Sequence, residues 1–174
     1  MNKIVTATEI KTYKDVGEKI DEKKINPIIE QAQITELKDR LGSDFFFDVL
    51  ANLSNPDYQN LLSGSTFTHN GIEYYQDGLK ALTADYFMSK YVLLTNVNHT
   101  PFGATTKLSN DSQPVDRNTL KDISTQQMQL AGSRWEIIKL YLDSNSDLFP
   151  KWGKNNTCGG STSVSERRFR IRKI

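Results

Sequence analysis

Apolar positions in this chain fall into long stretches of helical period separated by short breaks. The first clear helix opens at Asn26-Pro27, where Asn caps and Pro fits the first helical position because its missing N–H costs nothing there. Ile28, Ile29, Ala32, Leu37 and Leu41 then recur at helical spacing, and Gly42 supplies a C-terminal stop. Ser43 is placed to cap a second helix, Asp44 to Leu53, carrying Phe45, Phe46, Val49, Leu50 and Leu53. Asn55-Pro56 breaks it, and a short turn of helix from Asp57 through Leu61 and Leu62 closes at Gly64. Residues 66–75, TFTHNGIEYY, set Asn70-Gly71 between two β-compatible arms and predict a hairpin. A third helix runs from Leu79 to about Asn96 with apolar residues nearly all round, the pattern of a helix buried by its neighbours or by another subunit. Within it Tyr91, Leu93 and Leu94 are predicted to pack in the core or between subunits. Thr100-Pro101-Phe102-Gly103 ends that region in a tight loop, and a polar stretch follows. Asp116 caps the longest helix, to roughly Leu142, with Leu120, Ile123, Gln127, Ala131, Trp135, Ile138 and Leu142 as its stripe and Trp135 as a further packing residue.

The two ends read differently. Residues 1–25 mix β-branched residues with charges and show no helical stripe, so a short strand or extended arm near Ile4–Thr8 is expected, then polar chain with room for a short helix. Residues 153–165 are rich in Gly, Ser, Thr and Asn, the composition of a flexible linker. The expected fold is mainly α: a helical bundle with one small β-hairpin and extended N- and C-terminal arms. Its organisation is an arm over 1–25, a helical domain over 26–152, and a linker with a basic tail over 153–174.

Composition sharpens this picture in two places. The chain has 174 residues, a formal charge of +1 and 37% apolar residues, which predicts a modest core and ends that order on partners. Charge is unevenly placed. Residues 151–174 hold seven basic residues against Glu166, a net +6, which leaves −5 on residues 1–150. No apolar run approaches a membrane span, and the N-terminus lacks the apolar segment of a secretory signal. The single Cys158 forms no internal disulfide, and a reducing compartment fits.

Site chemistry is sparse. His69 falls at the hairpin turn and His99 in a loop, with no ligand spacing around either, so no metal site and no cofactor are expected. Cys158 lies in the Gly/Ser-rich stretch, a poor place to hold a thiol against a base, so no catalytic residue is assigned. Glu30, Glu36 and Asp39 share a helix with Lys38 and Arg40 and read as solvated charge. The tail is the unusual feature. Arg167, Arg168, Phe169, Arg170, Ile171, Arg172 and Lys173 form a candidate partner-binding segment in which arginines alternate with Phe169 and Ile171. That period of two fits a strand added to a partner's sheet edge, or a set of phosphate contacts, or simply a solubilising end.

A set of landmarks carries a resemblance. They are Ile25-Asn26-Pro27-Ile28-Ile29-Glu30-Gln31-Ala32-Gln33, Leu41-Gly42, Tyr58 to Gly64, Gly78-Leu79-Lys80-Ala81-Leu82, Thr100-Pro101-Phe102-Gly103 and Phe149-Pro150-Lys151-Trp152. In their order and spacing they resemble the head–tail connector (adaptor) proteins of tailed phages of Bacteroidota, including crAss-like phages, over about residues 20–153. The resemblance implies a virion subunit, assembled in the bacterial host cytoplasm, that forms a homo-oligomeric ring, commonly of twelve copies, below the portal protein. Such a ring contacts other tail proteins and lets packaged DNA pass without sequence-specific binding. The resemblance brings no catalytic residues, and the chain departs from the pattern beyond Gly153. The alternatives are a helical binding module that contacts nucleic acid through its basic tail, and a small enzyme with an unrecognised site.

Overall fold

A computed structural model describes residues 2–17, 21–95, 97–100, 103–106 and 115–153, the two short strands among them by backbone alone. The architecture is mainly helical, as the periodicity predicts. Helix α1, Ala7–Tyr13, is followed by α2, Glu22–Ala32, which runs through a π turn at Gln33–Leu37 into α3, Lys38–Leu41. Then come α4, Ser43–Ala51, and α5, Pro56–Ser63. Strands β1, Ser65–His69, and β2, Ile72–Gln76, form the hairpin, and α6, Gly78–Leu94, follows. Strands β3, Val97–Thr100, and β4, Gly103–Thr106, pair antiparallel, and α7, Arg117–Ser144, closes the bundle. Thr100 and Gly103, expected in a tight loop, are thus the end pair of a second two-stranded ladder.

Helix α6 is the central element. It packs along α7 and also meets α1, α2 and α5. From Gly78 to Phe87 every residue except Lys80 is buried, on all sides, which is why its apolar residues show no single stripe. Over its last turns exposure rises. Tyr91 is half-buried, while Leu93 and Leu94 are 43% and 45% exposed. Of the four predicted packing residues, Trp135 is in the core, Tyr91 lies at its edge, and Leu93 and Leu94 are outside it.

The N-terminal segment departs from the expected arm. Ile4, Val5, Ala7, Ile10 and Val16 are buried in the core, and the stretch expected as a strand is a bend leading into α1. Thr6 and Glu9 form a reciprocal capping box, with Thr6 Oγ1 accepting from Glu9 N and Glu9 Oε2 accepting from Thr6 N at 2.8 Å. The buried Gln33 amide then anchors the entry, its Oε1 accepting from Ile4 N at 2.6 Å. A seven-residue helix offers too few turns for its stripe to stand out, so only its docking site reveals it.

Two helix starts also move. Helix α2 begins at Glu22, capped by Asp21 through Lys23 N at 2.9 Å, and Pro27 sits inside it. An interior proline removes one backbone bond. Here the upstream turn forms nonetheless, and it carries the fully buried Ile25. Ser43 is the first residue of α4, not its side-chain cap. Asp116 does cap α7 as the sequence predicts, and Asn55, read only as a break, caps α5.

The hairpin forms in the predicted register, with His69 opposite Ile72. Asn70 and Gly71 both take left-handed backbone, with φ of 50° and 77°, which matches the twist of the two strands. Beyond α7, Phe149 is fully buried and Trp152 packs against Phe45 and Trp135. The linker and tail, residues 154–174, lie outside the described residues, and so do the side chains of His99 and Cys158.

Candidate functional site

Two polar clusters stand out, one buried and one at the surface. The buried one centres on Asp85 of α6, whose side chain is fully enclosed. Lys14 Nζ lies 2.5 Å from its Oδ1 and Arg134 Nη1 2.5 Å from its Oδ2. Arg134 Nε also donates to Asp77 at 2.9 Å, and Lys14 donates to Gln127 Oε1 at 2.6 Å. Burial works against the charge on Arg134, but its bonds to Asp85 and Asp77 outweigh that and raise its pKa. Gln127, the one polar side chain of the α7 stripe, is the partner of Lys14. The network ties the end of the N-terminal segment to α6 and α7.

The surface cluster lies on α4. Asp44, Phe47, Asp48 and Ala51 fall at steps of three and four and so share one face. With Lys151 they line an open depression of about 510 Å³. Lys151 Nζ lies 2.5 Å from Asp48 Oδ1, and the Tyr58 hydroxyl donates a short bond to Asp48 Oδ2. Burial acts to raise the Asp48 pKa, but the bonds from Lys151 and Tyr58 outweigh it and hold the carboxyl below its ordinary range. Burial and the adjacent Asp48 push the Tyr58 phenol well above its usual value. Phe47 is 54% exposed, with Lys38 Nζ 5.7 Å from its ring centre.

A depressed carboxyl fixes the sign of a pH effect. The stability from the Asp48 contacts is fully present above the unfolded pKa, about 4, and is lost as pH falls through the lower folded value. The urea midpoint of the wild type should therefore fall more steeply than that of Asp48→Asn as pH drops below about 4. Parallel acid limbs would show that these bonds contribute nothing to the pH dependence.

His69, Glu36 and Glu30 have structural partners. His69 Nδ1 lies 2.9 Å from Ser144 Oγ and its ring meets Tyr74, which pins the hairpin tip to the end of α7. Glu36 pairs with Lys90 of α6 at 2.8 Å and Glu30 with Lys3 at 3.5 Å, so these charges bridge elements instead of only facing solvent. Among the described residues there is no group of three or more His, Cys, Asp or Glu side chains that could hold a metal ion. Among them, too, no helix is long and apolar enough to cross a membrane.

The sequence reading missed both clusters, because each joins residues far apart in the chain. Only the heptad-like spacing of Asp44, Phe47, Asp48 and Ala51 was visible, with Phe47 as an apolar residue off the buried stripe.

What these features define is a helical domain in which Asp85, Asp48, His69, Glu30 and Glu36 bind to other elements of the same chain. The chain belongs to DUF6712, a family of unknown function, whose family model matches residues 37–162. No curated protein and no solved structure matches it.

Proposed function

We propose that this protein is a non-enzymatic structural subunit of a phage virion, a head–tail connector that forms a ring between the portal protein and the tail and lines the DNA exit channel. The observation that supports this reading best is the bare end of α6. A helix buried on every side for most of its length ends with Leu93 and Leu94 nearly half exposed. On α7, Leu130 and Ile137, seven residues apart and so on one face, are 40% and 37% exposed. A ring closes through head-to-tail contacts between two unlike surfaces of one subunit, and two apolar pairs on different helices suit that need. The sequence landmarks add the twelvefold expectation, and the net −5 of residues 1–150 suits a channel wall that does not retain DNA.

Electron micrographs of the purified protein, alone and with its portal, test the reading. Closed rings are the expected result. A chain that stays monomeric in native mass spectrometry with the portal present would defeat it. Leu93→Asp with Leu94→Asp refines the test. Both positions are exposed, so the subunit's own stability should change by less than about 0.5 kcal/mol per site. Ring formation should be lost, because a charge would be buried without a partner in the contact. Rings that form normally from this variant would remove the end of α6 from the interface.

A further inference from the structure

The open face of α4 lies beside the point where the described chain ends. Lys151, which lines it through Asp48, is two residues before Gly153. From there the sequence continues for 21 residues to Ile174. The face carries an exposed aromatic ring, Phe47, a small residue, Ala51, and the exposed carboxylate of Asp44. Asp143 also lies at the exit, accepting from Trp152 Nε1 at 2.7 Å, and Asp57 and Asp147 are exposed. Against these stand Lys151 and Lys38.

The tail is complementary in both respects. It carries five basic residues from Arg167 to Lys173, and its two apolar residues alternate with arginines. The dimensions agree. The α4 face from Asp44 to Ala51 is about 10 Å long at 1.5 Å per residue. An extended run from Arg168 to Arg172 is about 13 Å, with Phe169 and Ile171 roughly 7 Å apart on one side. Phe169 lies sixteen residues beyond Gly153, and a Gly/Ser-rich chain of that length spans about 20–24 Å on average. The face is well within that reach, at an effective concentration of order millimolar.

We infer that the segment Arg167–Lys173 seats on the α4 face of its own chain, with Phe169 and Ile171 against Phe47 and Ala51 and the arginines toward Asp44 and the acidic exit. The tail thereby covers the exposed apolar face and neutralises part of the body's negative charge. The contact is made within one subunit and does not depend on ring formation.

Disulfide trapping in the full chain tests this. In a Cys158→Ser background, Ala51→Cys is combined with Ile174→Cys and the protein is oxidised at low concentration. The comparison chain carries Gln129→Cys, exposed on α7, in place of Ala51→Cys. Rates are normalised to each body thiol's reactivity toward a small disulfide. The 51–174 disulfide should form at least about tenfold faster than the 129–174 disulfide, within one chain. Phe169→Ser with Ile171→Ser should abolish the difference, and these changes lie outside the described body, so its folding is not at issue. Asp44→Lys should reduce it several-fold, as should molar salt. Equal rates at 51 and 129 overturn the inference. So does a preference that survives the Phe169 and Ile171 substitutions. Mixing chains that carry only Ala51→Cys with chains that carry only Ile174→Cys reports the remaining case. Efficient cross-links there, without an internal disulfide in the doubly substituted chain, would assign the face to a neighbouring copy's tail and overturn the assignment to its own.

Discussion

Gly78→Ala is expected to cost roughly 3 kcal/mol or more, a large part of the 5–15 kcal/mol typical of a domain. Gly78 has φ of +87°, and a Cβ there would lie 2.5 Å from both Gly64 N and Leu62 O. Those are backbone atoms at the end of α5 and cannot rotate aside. Gly64 is the mirror case, with φ of +96° and a Cβ position 2.8 Å from Gln76 O. The two glycines let the chain pass itself where the hairpin leaves α5 and returns to α6. The buried Gln76 locks the crossing, donating to Asn60 O at 2.5 Å and to Ser65 Oγ at 3.1 Å and accepting from Gly78 N at 2.7 Å. Left-handed strain of about 1–3 kcal/mol and overpacking of about 1–3 kcal/mol act together. In a domain of this size that lowers the thermal midpoint by about 10 °C. Gly132→Ala is the control. It lies in α7 with nothing near its Cβ position, and should stabilise by up to about 1 kcal/mol. A midpoint for Gly78→Ala within about 2 °C of wild type would show that the crossing relaxes freely.

Asp85→Ala should be of similar size, for a different reason. It removes the shared partner of Lys14 and Arg134 and leaves two cations in a partly closed space. Breaking a buried ion pair by removing one partner costs about 3–5 kcal/mol, most of it the desolvation of the charge left behind. The triple variant Lys14→Met, Asp85→Leu, Arg134→Met removes all three charges while keeping similar volume, and should recover most of the loss. Urea midpoints of the wild type, the single variant and the triple variant measure both. A triple variant no more stable than Asp85→Ala would show that the network contributes more than its charges, for example by fixing how the N-terminal segment docks.

The elements were largely legible in the sequence. Asp116 is local hydrogen-bond chemistry that acts wherever the chain goes, and it caps its helix as read, while Asn55-Pro56, read as a break, also caps α5. Asn70-Gly71 fixed the hairpin because few other residue pairs take two successive left-handed conformations. Pro27 misled because a proline permits a helix start without requiring one, and the choice fell to Ile25, whose burial depends on the rest of the core. The N-terminal segment misled for the same reason: Ile4, Val5 and Ile10 become core residues only beside the surfaces they meet.

The candidate site was less legible. Leu93 and Leu94 share the composition of the buried part of α6, and nothing local distinguishes them from Leu79 or Leu82. Their exposure, 43% and 45%, shows only in the folded chain. Likewise Asp85 and Asp48 look like ordinary surface carboxylates until Lys14, Arg134, Tyr58 and Lys151 arrive from distant parts of the chain. The sequence by itself determined the helical class, the Asp116 cap, the hairpin with its Asn70-Gly71 turn and the basic, alternating tail, because each rests on interactions within a few residues. Tertiary structure alone decided which apolar residues are buried, which charges are paired, and why glycine stands at 64 and 78, because burial, pairing and backbone crossing are properties of segments brought together from far apart.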